Sequence, residues 1–471
     1  MEHEKDEELE QPVSPLGQYF NSSVICLHII AVLEFEVPIH DLQVFALFKD
    51  VFLPISPRFS SIMVEDKNRK KQWRKVDVNL KDHIKVPIFS EGKTLEFYDK
   101  CFHDYLSTIA MEKLSQEKPL WEVHIVNYPT KNSLGNMIFK LHHALGDGYS
   151  LMGALLSCLQ RADNPSLPLS FPCLKPTKSV TFKKSCWRKI CWTMSSVFST
   201  VSDFGWSVLK SSVMDDDESP IRSGDGGADF QPICISTLTF SMEHIKDIKS
   251  KLGVTVNDVV TGIVFYGTRL YMQEKDSKSN TSNSTALVLL NTRNIEGYKS
   301  IDDMLNTKKS KGPWGNRISF LHVPIPKLNK SRISNPLEFI SHTHNIIKRK
   351  KQSLAVALTG KLLEIEGKFR GQEEVAKHIR KTITNSSTVI TNLVGPVEQM
   401  SLANHPVKGL YFTLAGGAES LIISIMSYMG VLRVTLKTEK DFIDEQRLKS
   451  CIQSAFEIIF KSAMKFSCET N

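Results

Sequence analysis

The chain has 471 residues, more than one ordinary hydrophobic core accommodates, so two large domains are expected. Hydrophobic residues make up 41% and charged residues 23%, a composition that excludes disordered and fibrous proteins. The net charge of +8 is modest for this length, and no zinc-finger or RNP-like pattern accompanies it, so nucleic-acid binding is not expected.

The nine cysteines are scattered, and no two of them form a Cys-x-x-Cys pair. Their odd number and spacing indicate reduced thiols in a cytosol-facing protein and predict no metal site. The first eight residues are acidic and lack the basic start and apolar stretch of a signal peptide. We therefore do not expect export by that route.

The first part of the chain, residues 1–165, is predicted to form one α/β domain. Apolar runs and alternating patterns predict strands at 24–35, 59–64, 72–78, 121–126 and 136–141. Helical periodicity predicts helices at 39–51, 97–113 and 148–161. The apolar run 24–32 is shorter than the roughly 20 residues that span a bilayer, which favours a buried strand.

Residues 166–230 are predicted to be a linker, because prolines break the chain at its start and an acidic, glycine-rich stretch ends it. An amphipathic helix is expected within it, at about 187–209. Its apolar face is formed by Trp187, Ile190, Met194, Val197, Val201, Phe204 and Val208. The opposite face includes Ser202 and Asp203. This helix either packs on the protein or lies in a membrane interface, and spanning fits less well because of Asp203.

The last part, residues 231–471, is predicted to form a second α/β domain of similar size. The expected strands are 235–240, 285–291, 318–323, 387–391, 421–427 and 431–437. The expected helices are 242–252, 256–272, 337–367 and 446–466. No clear internal repeat relates this part to the first.

The segment 142–148, His-His-Ala-Leu-Gly-Asp-Gly, follows a predicted strand and carries the candidate chemistry. Transfer of an acyl group to an alcohol needs a base for the hydroxyl proton, and a neutral imidazole has a suitable pKa. His143 is the candidate base. Strand alternation directs His142 to the other side, so a supporting role is expected for it.

Asp147, four residues beyond His143, is expected to hold the loop through an ion pair. Arg58 is the first choice for its partner and Arg293 the second, since a buried carboxylate is rarely left unpaired. Gly146 and Gly148 are expected to let the backbone turn sharply. No Gly-x-Ser-x-Gly motif is present, which favours direct attack on the acyl donor over an acyl-enzyme.

His142-His143-x-x-x-Asp147-Gly148 resembles the signature of the coenzyme A-dependent acyltransferase superfamily. Within it, the chain resembles the plant-type bifunctional wax ester synthase/diacylglycerol acyltransferase family over nearly its whole length. The matching segments, in chain order, begin at Ser14, Pro57, Pro119, His142, Val256, Asn291, Trp314 and Thr391.

The resemblance implies an α/β fold of two chloramphenicol-acetyltransferase-like, mixed-sheet sandwich domains with the active site at their interface. It implies that Pro119, Leu120 and Trp121 line or brace the acceptor end of a substrate tunnel, although Trp121 also suits buried packing. It further implies roles near the site for four residues of the second domain, namely Asn257, Asp258, Asn392 and Gly395. Asn257 also suits a helix N-cap, and Asn392 and Gly395 suit a tight turn after a strand.

The implied activity is transfer of a fatty acyl group from acyl-coenzyme A to a long-chain alcohol or to diacylglycerol, without a bound cofactor. The implied location is the cytosolic face of the endoplasmic reticulum membrane, with the plasma membrane as an alternative. Two other functions stay open, since peptide-synthetase condensation domains share the histidine motif and a non-catalytic lipid-binding protein could share the fold.

Overall fold

The computed structural model describes residues 11–39, 41–67, 70–170, 200–224, 231–293 and 314–466. The chain forms two compact units, each built from three separate segments. Unit 1 consists of Met1–Pro172, Arg293–Arg317 and Gly395–Gly416. Unit 2 consists of Cys173–Thr292, Ile318–Val394 and Gly417–Asn471.

Unit 1 is built around ten strands, numbered in chain order with those of unit 2. They are β1 (Gln11–Pro12), β2 (His28–Phe35), β3 (Ser61–Glu65), β4 (Lys71–Lys75), β5 (Ile84–Lys85), β6 (Trp121–Val126), β7 (Gly135–His142), β8 (Leu159–Arg161), β13 (Met400–Leu402) and β14 (His405–Ala415). Seven form a mixed sheet in the order β5-β6-β7-β2-β14-β13-β8, and the others form a small sheet in the order β1-β4-β3. In the large sheet only β5 and β6 pair in parallel.

The α-helices of unit 1 are Pro15–Phe20, Asp41–Leu47, Leu53–Ile55, Leu95–Met111 and Gly148–Ser157, and a π-helical turn spans Phe48–Phe52. The longest begins after Thr94, whose side chain accepts a hydrogen bond from the Phe97 N–H and so caps the helix. Its buried residues include Phe102 and Leu106, which recur at helical spacing.

β2 and β7 lie at the centre of the large sheet and position the histidine segment. Every residue of both strands is buried, as expected for strands that are covered on both faces. The two strands pair antiparallel with His28 opposite His142. The end of β7 is therefore held by its neighbour at the position where the histidine motif begins.

β14 is the main element of unit 1 that the sequence did not indicate. Pro406 and Gly409 lie in its first half, and a register irregularity occurs between Val407 and Gly409, so its pattern differs from that of a regular strand. It pairs along the length of β2. The segments 293–317 and 395–416, assigned by sequence to the second domain, consequently belong to unit 1. A prediction that divides the chain into consecutive domains cannot place late segments of the chain in the first unit.

Unit 2 contains one six-stranded mixed sheet. Its strands are β9 (Ile233–Ser241), β10 (Thr285–Asn291), β11 (Ile318–Pro324), β12 (Thr388–Val394), β15 (Leu421–Tyr428) and β16 (Val431–Glu439). They lie in the order β11-β10-β12-β15-β16-β9. The pairs β10–β12 and β12–β15 are parallel, whereas the remaining pairs are antiparallel.

Helices pack on this sheet and on each other to form the core of unit 2. Their bounds are Met242–Leu252, Val256–Lys275, Lys330–Ser334, Glu338–Gln352, Ala355–Arg370, Gln372–Thr384 and Glu445–Phe466. Gly267 allows two of the longest to approach closely, because a Cβ atom there would lie 2.5 Å from the Ile452 Cα atom.

The predicted long helix 337–367 is two helices, Glu338–Gln352 and Ala355–Arg370. Ser353 adopts an extended conformation between them, and its hydroxyl accepts a hydrogen bond from the Ala355 N–H at 3.0 Å. No proline or glycine lies at this break, so the helical periodicity of the sequence continues through it and predicts a single helix. The helix Gln372–Thr384 was also not predicted.

The predicted linker helix at about 187–209 falls partly outside the described residues, which resume at residue 200. Residues 200–212 are helical. Asp203, predicted on the polar face of this helix, is 5% exposed and lies 3.3 Å from Lys350 Nζ and 3.2 Å from an Arg349 nitrogen. These ion pairs hold the polar face of the helix against the rest of unit 2. Within the described ranges, no helix is long and apolar enough to cross a membrane.

Candidate active site

His143 directly follows β7 and is held by its backbone and by its ring. Its N–H donates to the Leu27 carbonyl at 2.8 Å, which continues the pairing of β7 with the segment that leads into β2. The Phe20 ring lies 4.7 Å from the imidazole, centroid to centroid. The side chain is only 3% exposed. The imidazole is therefore held in the interior of unit 1.

Asn316 determines which nitrogen of His143 carries the proton. The Asn316 amide nitrogen donates to the His143 carbonyl oxygen at 2.9 Å, and this oxygen can only accept. The Asn316 Oδ1 atom must then face His143 Nδ1, also at 2.9 Å. An amide oxygen can only accept as well, so Nδ1 carries the hydrogen. Nε2 of the neutral ring consequently has a free lone pair and can act as a base.

The surroundings of His143 keep the imidazole neutral at physiological pH. Burial lowers the pKa of His143 below its ordinary value of 6.5, while the Asp147 carboxylate and the hydrogen bond to Asn316 oppose that shift. A base must be unprotonated before it can accept a proton. The buried ring therefore remains competent at neutral pH.

Asp147 connects the histidine loop to a second segment of unit 1. Its side chain caps the helix Gly148–Ser157 by accepting from the Ser150 N–H at 3.0 Å. The same carboxylate accepts from an Arg293 guanidinium nitrogen at 2.5 Å and from the Arg317 N–H at 2.8 Å. Both charged side chains are 1% exposed. Asp147 thus anchors the segment that carries Asn316.

Arg58 is not the partner of Asp147, so the first choice made from the sequence is wrong and the second is correct. Arg58 lies in a short 3-10 turn, Pro57–Ser60, and donates to the Leu145 carbonyl at 3.0 Å. Trp314 Nε1 donates to the same oxygen at 3.1 Å. Burial lowers the pKa of Arg58 to about 10. Arg58 therefore supports the backbone of the histidine loop.

Glycine is required in the Asn316 segment, but not in the way expected at the motif. Gly315 has φ of +113°, a conformation that favours glycine, and its N–H donates to the Ser150 hydroxyl oxygen at 3.1 Å. Gly146 and Gly148 are not among the described residues with positive φ. Gly146 instead packs closely on Ser150, and Gly148 is the first residue of the helix.

His142 has different neighbours from His143. The Ala144 N–H donates to His142 Nδ1 at 3.0 Å, and His142 Nε2 lies 3.6 Å from Cys26 Sγ. The His28 ring contacts it edge to face. Burial and neighbouring positive charge lower the pKa of His142, so the ring is neutral and Nε2 carries its proton.

Cys26, His28 and His142 are the group with metal-ligand spacing among the described residues, with ligand atoms within 4.8 Å of one another. A metal ion binds an imidazole through the lone pair of a nitrogen that carries no proton. The Ala144 N–H occupies the lone pair of His142 Nδ1, so in the neutral ring Nε2 carries the proton. The geometry favours a hydrogen bond from His142 to the Cys26 sulfur.

Leu120 and Trp121 support the histidine segment at the start of β6, and Pro119 directly precedes them. The Leu120 carbonyl accepts from the His142 N–H at 3.0 Å. Trp121 is fully buried, donates from Nε1 to the Phe59 carbonyl at 2.9 Å, and stacks on His83. Of the two roles considered for Trp121, these contacts favour packing.

Of the predicted residues in unit 2, Asn257 is not the helix cap. Thr255 caps the helix Val256–Lys275, and Asp258 completes a capping box with it. Asn257 Oδ1 accepts from Asn392 Nδ2 at 3.3 Å, and Asp258 lies 2.7 Å from His344 Nδ1. All these contacts are within unit 2.

Asn392 lies within β12 and not in the turn after it, whereas the buried Gly395 directly follows that strand. In the described part of the chain, no hydrogen bond joins either residue to His143. Their expected placement near the site stays a prediction.

The mixed-sheet α/β fold and the buried histidine with an available Nε2 fit an acyltransferase, and the family comparisons give that class. The wax ester synthase/diacylglycerol acyltransferase catalytic domain matches residues 24–224, and the C-terminal domain of the same family matches residues 314–460. The chain belongs to the wax ester synthase/diacylglycerol acyltransferase family. Wax ester synthase/diacylglycerol acyltransferase 5 of Arabidopsis thaliana is 29% identical over 465 residues, covering 93% of this chain and 91% of that protein.

Solved structures show the same fold. The wax ester synthase/diacylglycerol acyltransferase from Marinobacter aquaeolei VT8 has a TM-score of 0.60 and 15% identity, covering 96% of this chain and 100% of its own. A nonribosomal peptide synthetase cyclization-docking bidomain from Sorangium cellulosum has a TM-score of 0.55 and 11% identity, covering 97% and 84%. The predicted α/β fold is confirmed.

Asn316 and Phe20 are the site residues that the sequence did not assign. Asn316 lies 173 positions from His143, and its contact depends on how unit 1 folds. The sequence signal for Asn316 was the segment Trp314-Gly315-Asn316, which is one of the segments that resemble the family. Phe20 lies in the short helix Pro15–Phe20, for which no pattern predicted a contact with the imidazole.

Proposed function

We propose that the chain transfers a fatty acyl group from acyl-coenzyme A to the hydroxyl group of a long-chain alcohol or of diacylglycerol. The observation that carries this proposal is the fixed tautomer of His143, which leaves Nε2 able to accept a hydroxyl proton. Membership of the wax ester synthase/diacylglycerol acyltransferase family supports the choice of donor and acceptors.

The reaction proceeds by direct attack. His143 Nε2 takes the proton of the acceptor hydroxyl while its oxygen forms a bond to the thioester carbonyl carbon. The tetrahedral intermediate collapses, the carbon–sulfur bond breaks, and the sulfur leaves with the bonding electrons. The imidazolium returns its proton to the thiolate, so the products are one ester and one coenzyme A.

The hydroxyl and thiol groups near His143 are not set up as nucleophiles, which supports direct attack over an acyl-enzyme. Ser150 Oγ interacts with Gly315 and receives a hydrogen bond from Arg293, so it is engaged in holding the loop. Cys26 lies beside His142, and burial raises the pKa of its thiol. An activated nucleophile needs a base in contact and a favourable charge state.

The acyl-coenzyme A molecule is a substrate here, and the proposal needs no bound cofactor. Both acceptors are lipids, so we place the reaction at the cytosolic face of the endoplasmic reticulum membrane, with the plasma membrane as the alternative. The scattered free cysteines fit a cytosol-facing protein.

The test is a product analysis with purified full-length protein. Labelled palmitoyl-coenzyme A is incubated with a mixture of hexadecanol and diacylglycerol, and the lipids are separated by chromatography. We expect labelled wax ester, triacylglycerol or both, and their ratio gives the preferred acceptor. A folded protein that forms neither product, with coenzyme A thioesters of several chain lengths, would contradict the proposal.

A further inference from the structure

The helix Ala355–Arg370 presents an apolar stripe to solvent. The stripe consists of Leu354, just before the helix, with Leu358, Ile365 and Phe369. Their spacing of four and seven residues places them on one helical face. Leu354 is 65% exposed and Phe369 is 86% exposed. A row of exposed apolar side chains on one helical face marks a candidate site of interaction, in contrast to scattered single residues.

The helical residues 200–212 extend this surface. This helix turns its polar side inward, since Thr200, Asp203 and Lys210 are buried. Outside that buried side the helix carries Val201, which is 66% exposed, and the exposed Leu209 and Trp206. The Leu354 N–H donates to Thr200 Oγ1 at 3.2 Å, which brings the first turn of one helix to the start of the stripe. The two surfaces belong to the same unit.

Basic residues outnumber acidic ones in the stripe helix and at the end of the helix before it. Residues 346–370 contain seven Lys or Arg and two Glu, a net charge of +5. The side chains of Arg349, Lys368 and Arg370 are largely exposed, and each pairs with an acidic side chain, Asp203, Glu364 and Glu366 respectively. The excess positive charge therefore comes mainly from the exposed Lys348, Lys351 and Lys361. Long basic side chains beside an apolar helical face fit a bilayer interface, where apolar groups enter the acyl region and cations meet anionic headgroups.

A second copy of the chain fits this surface less well. A two-fold contact would bring the same patch of each copy together, so the basic side chains would face their equivalents. Like charges in such a contact oppose association. An anionic lipid bilayer offers both the apolar layer and the opposite charge.

We propose that the apolar stripe and the exposed side of helix 200–212 form a docking surface for bilayers that contain anionic lipids. This inference deepens the proposed function, because it names the partner from which lipid acceptors would be drawn. The helix Ala355–Arg370 lies in the plane of the interface and does not span the bilayer.

The test is co-sedimentation of the full-length protein with phosphatidylcholine vesicles, with and without phosphatidylserine. We expect strong binding only with phosphatidylserine and weaker binding at high salt. Each apolar side chain removed from the interface should weaken binding by about tenfold. The triple variant Leu354→Gln, Ile365→Gln, Phe369→Gln should therefore remain in the supernatant.

Ile88→Gln in unit 1 is the matched control, because Ile88 is 89% exposed and lies outside the stripe. It should bind vesicles like the unchanged protein. Unaltered circular dichroism and melting midpoint of the triple variant would show that its fold is intact. The inference is overturned if the unchanged protein does not bind phosphatidylserine vesicles, or if the folded triple variant binds them equally well.

Dimerisation and ester formation are two further readouts. Dimerisation that is abolished by Phe369→Gln, without vesicle binding, would identify a second copy as the partner and overturn the inference. Vesicle binding by a protein that forms no ester would contradict the proposed function alone. Ester formation without vesicle binding would contradict the docking surface alone.

Discussion

At the residue scale, one amide side chain sets the chemical state of the base. Asn316 contacts both the carbonyl oxygen and Nδ1 of His143, and these two contacts together leave Nε2 unprotonated. A ring held in this way already has the productive tautomer and orientation, so neither has to change before proton transfer. Asn316 is thus a positioning residue that acts through His143.

Replacing Asn316 should change the rate and its pH dependence in separable ways. Asn316→Leu removes both hydrogen bonds and should lower kcat by about 10²-fold, a typical cost of misplacing a reacting group. Asn316→Asp places a carboxylate beside the ring, which stabilises the imidazolium and raises the pKa of His143. Because only the neutral ring is a base, the acidic limb of kcat/KM should move to higher pH.

The control for this prediction is the unchanged protein, whose acidic limb should lie below pH 6.5 because burial lowers the pKa of His143. Profiles of kcat/KM against pH for the unchanged protein and for Asn316→Asp provide the measurement. Superimposable profiles in a folded Asn316→Asp protein would rule out this role for Asn316.

At the element scale, the Asp147–Arg293 pair joins the helix Gly148–Ser157 to the segment that carries Asn316. Removing one partner of a buried pair leaves an unpaired charge, so Arg293→Met should cost about 3–5 kcal/mol. Arg58→Met should cost less, because Trp314 also donates to the Leu145 carbonyl. Thermal melting midpoints of the two variants provide the comparison.

The double variant Asp147→Asn, Arg293→Met serves as the control for this pair. It removes both charges, so it should be more stable than Arg293→Met alone. Equal melting midpoints for Arg293→Met and the unchanged protein would show that the pair does not anchor the segment.

Much of the element structure could be predicted from local patterns, as the strands β6 and β10 and the helix Met242–Leu252 show with matching bounds. The elements that were not predicted are those whose secondary structure depends on tertiary contacts. β14 contains turn-forming residues yet pairs along β2, and Ser353 interrupts a continuous helical pattern. His143 was identifiable from its motif, but its contact with Asn316 required the fold of unit 1.

At the scale of the whole molecule, the exchange of segments between units explains why consecutive domain boundaries do not describe this chain. Asn316 and Arg293 contact the histidine loop, and both lie in the segment 293–317 that groups with unit 1. The location of the active site at the interface of two domains stays a prediction.

Stability of the protein should depend on pH through its buried neutral histidines. Burial and nearby Lys140 lower the pKa of His28 from 6.5 to about 3. Below pH 6.5 the unfolded chain binds a proton there that the folded protein does not, so stability falls as pH falls toward 3. At pH 5 this group alone should cost about 2 kcal/mol of stability relative to neutral pH.

His28→Gln should reduce that pH dependence, since glutamine does not titrate. The measurement is the difference in melting midpoint between about pH 7.5 and pH 5, for the variant and for the unchanged protein. An equal difference in both proteins would show that His28 is not a source of acid sensitivity.

The central claim is that His143 removes the acceptor proton during acyl transfer. The most direct measurement is the rate of coenzyme A release from palmitoyl-coenzyme A, in the presence of the preferred lipid acceptor, by His143→Gln and by the unchanged protein. We predict a loss of about 10²–10⁴-fold in kcat, the usual contribution of a general base, with an unaltered melting profile. A folded His143→Gln protein that released coenzyme A at the unchanged rate would contradict the account.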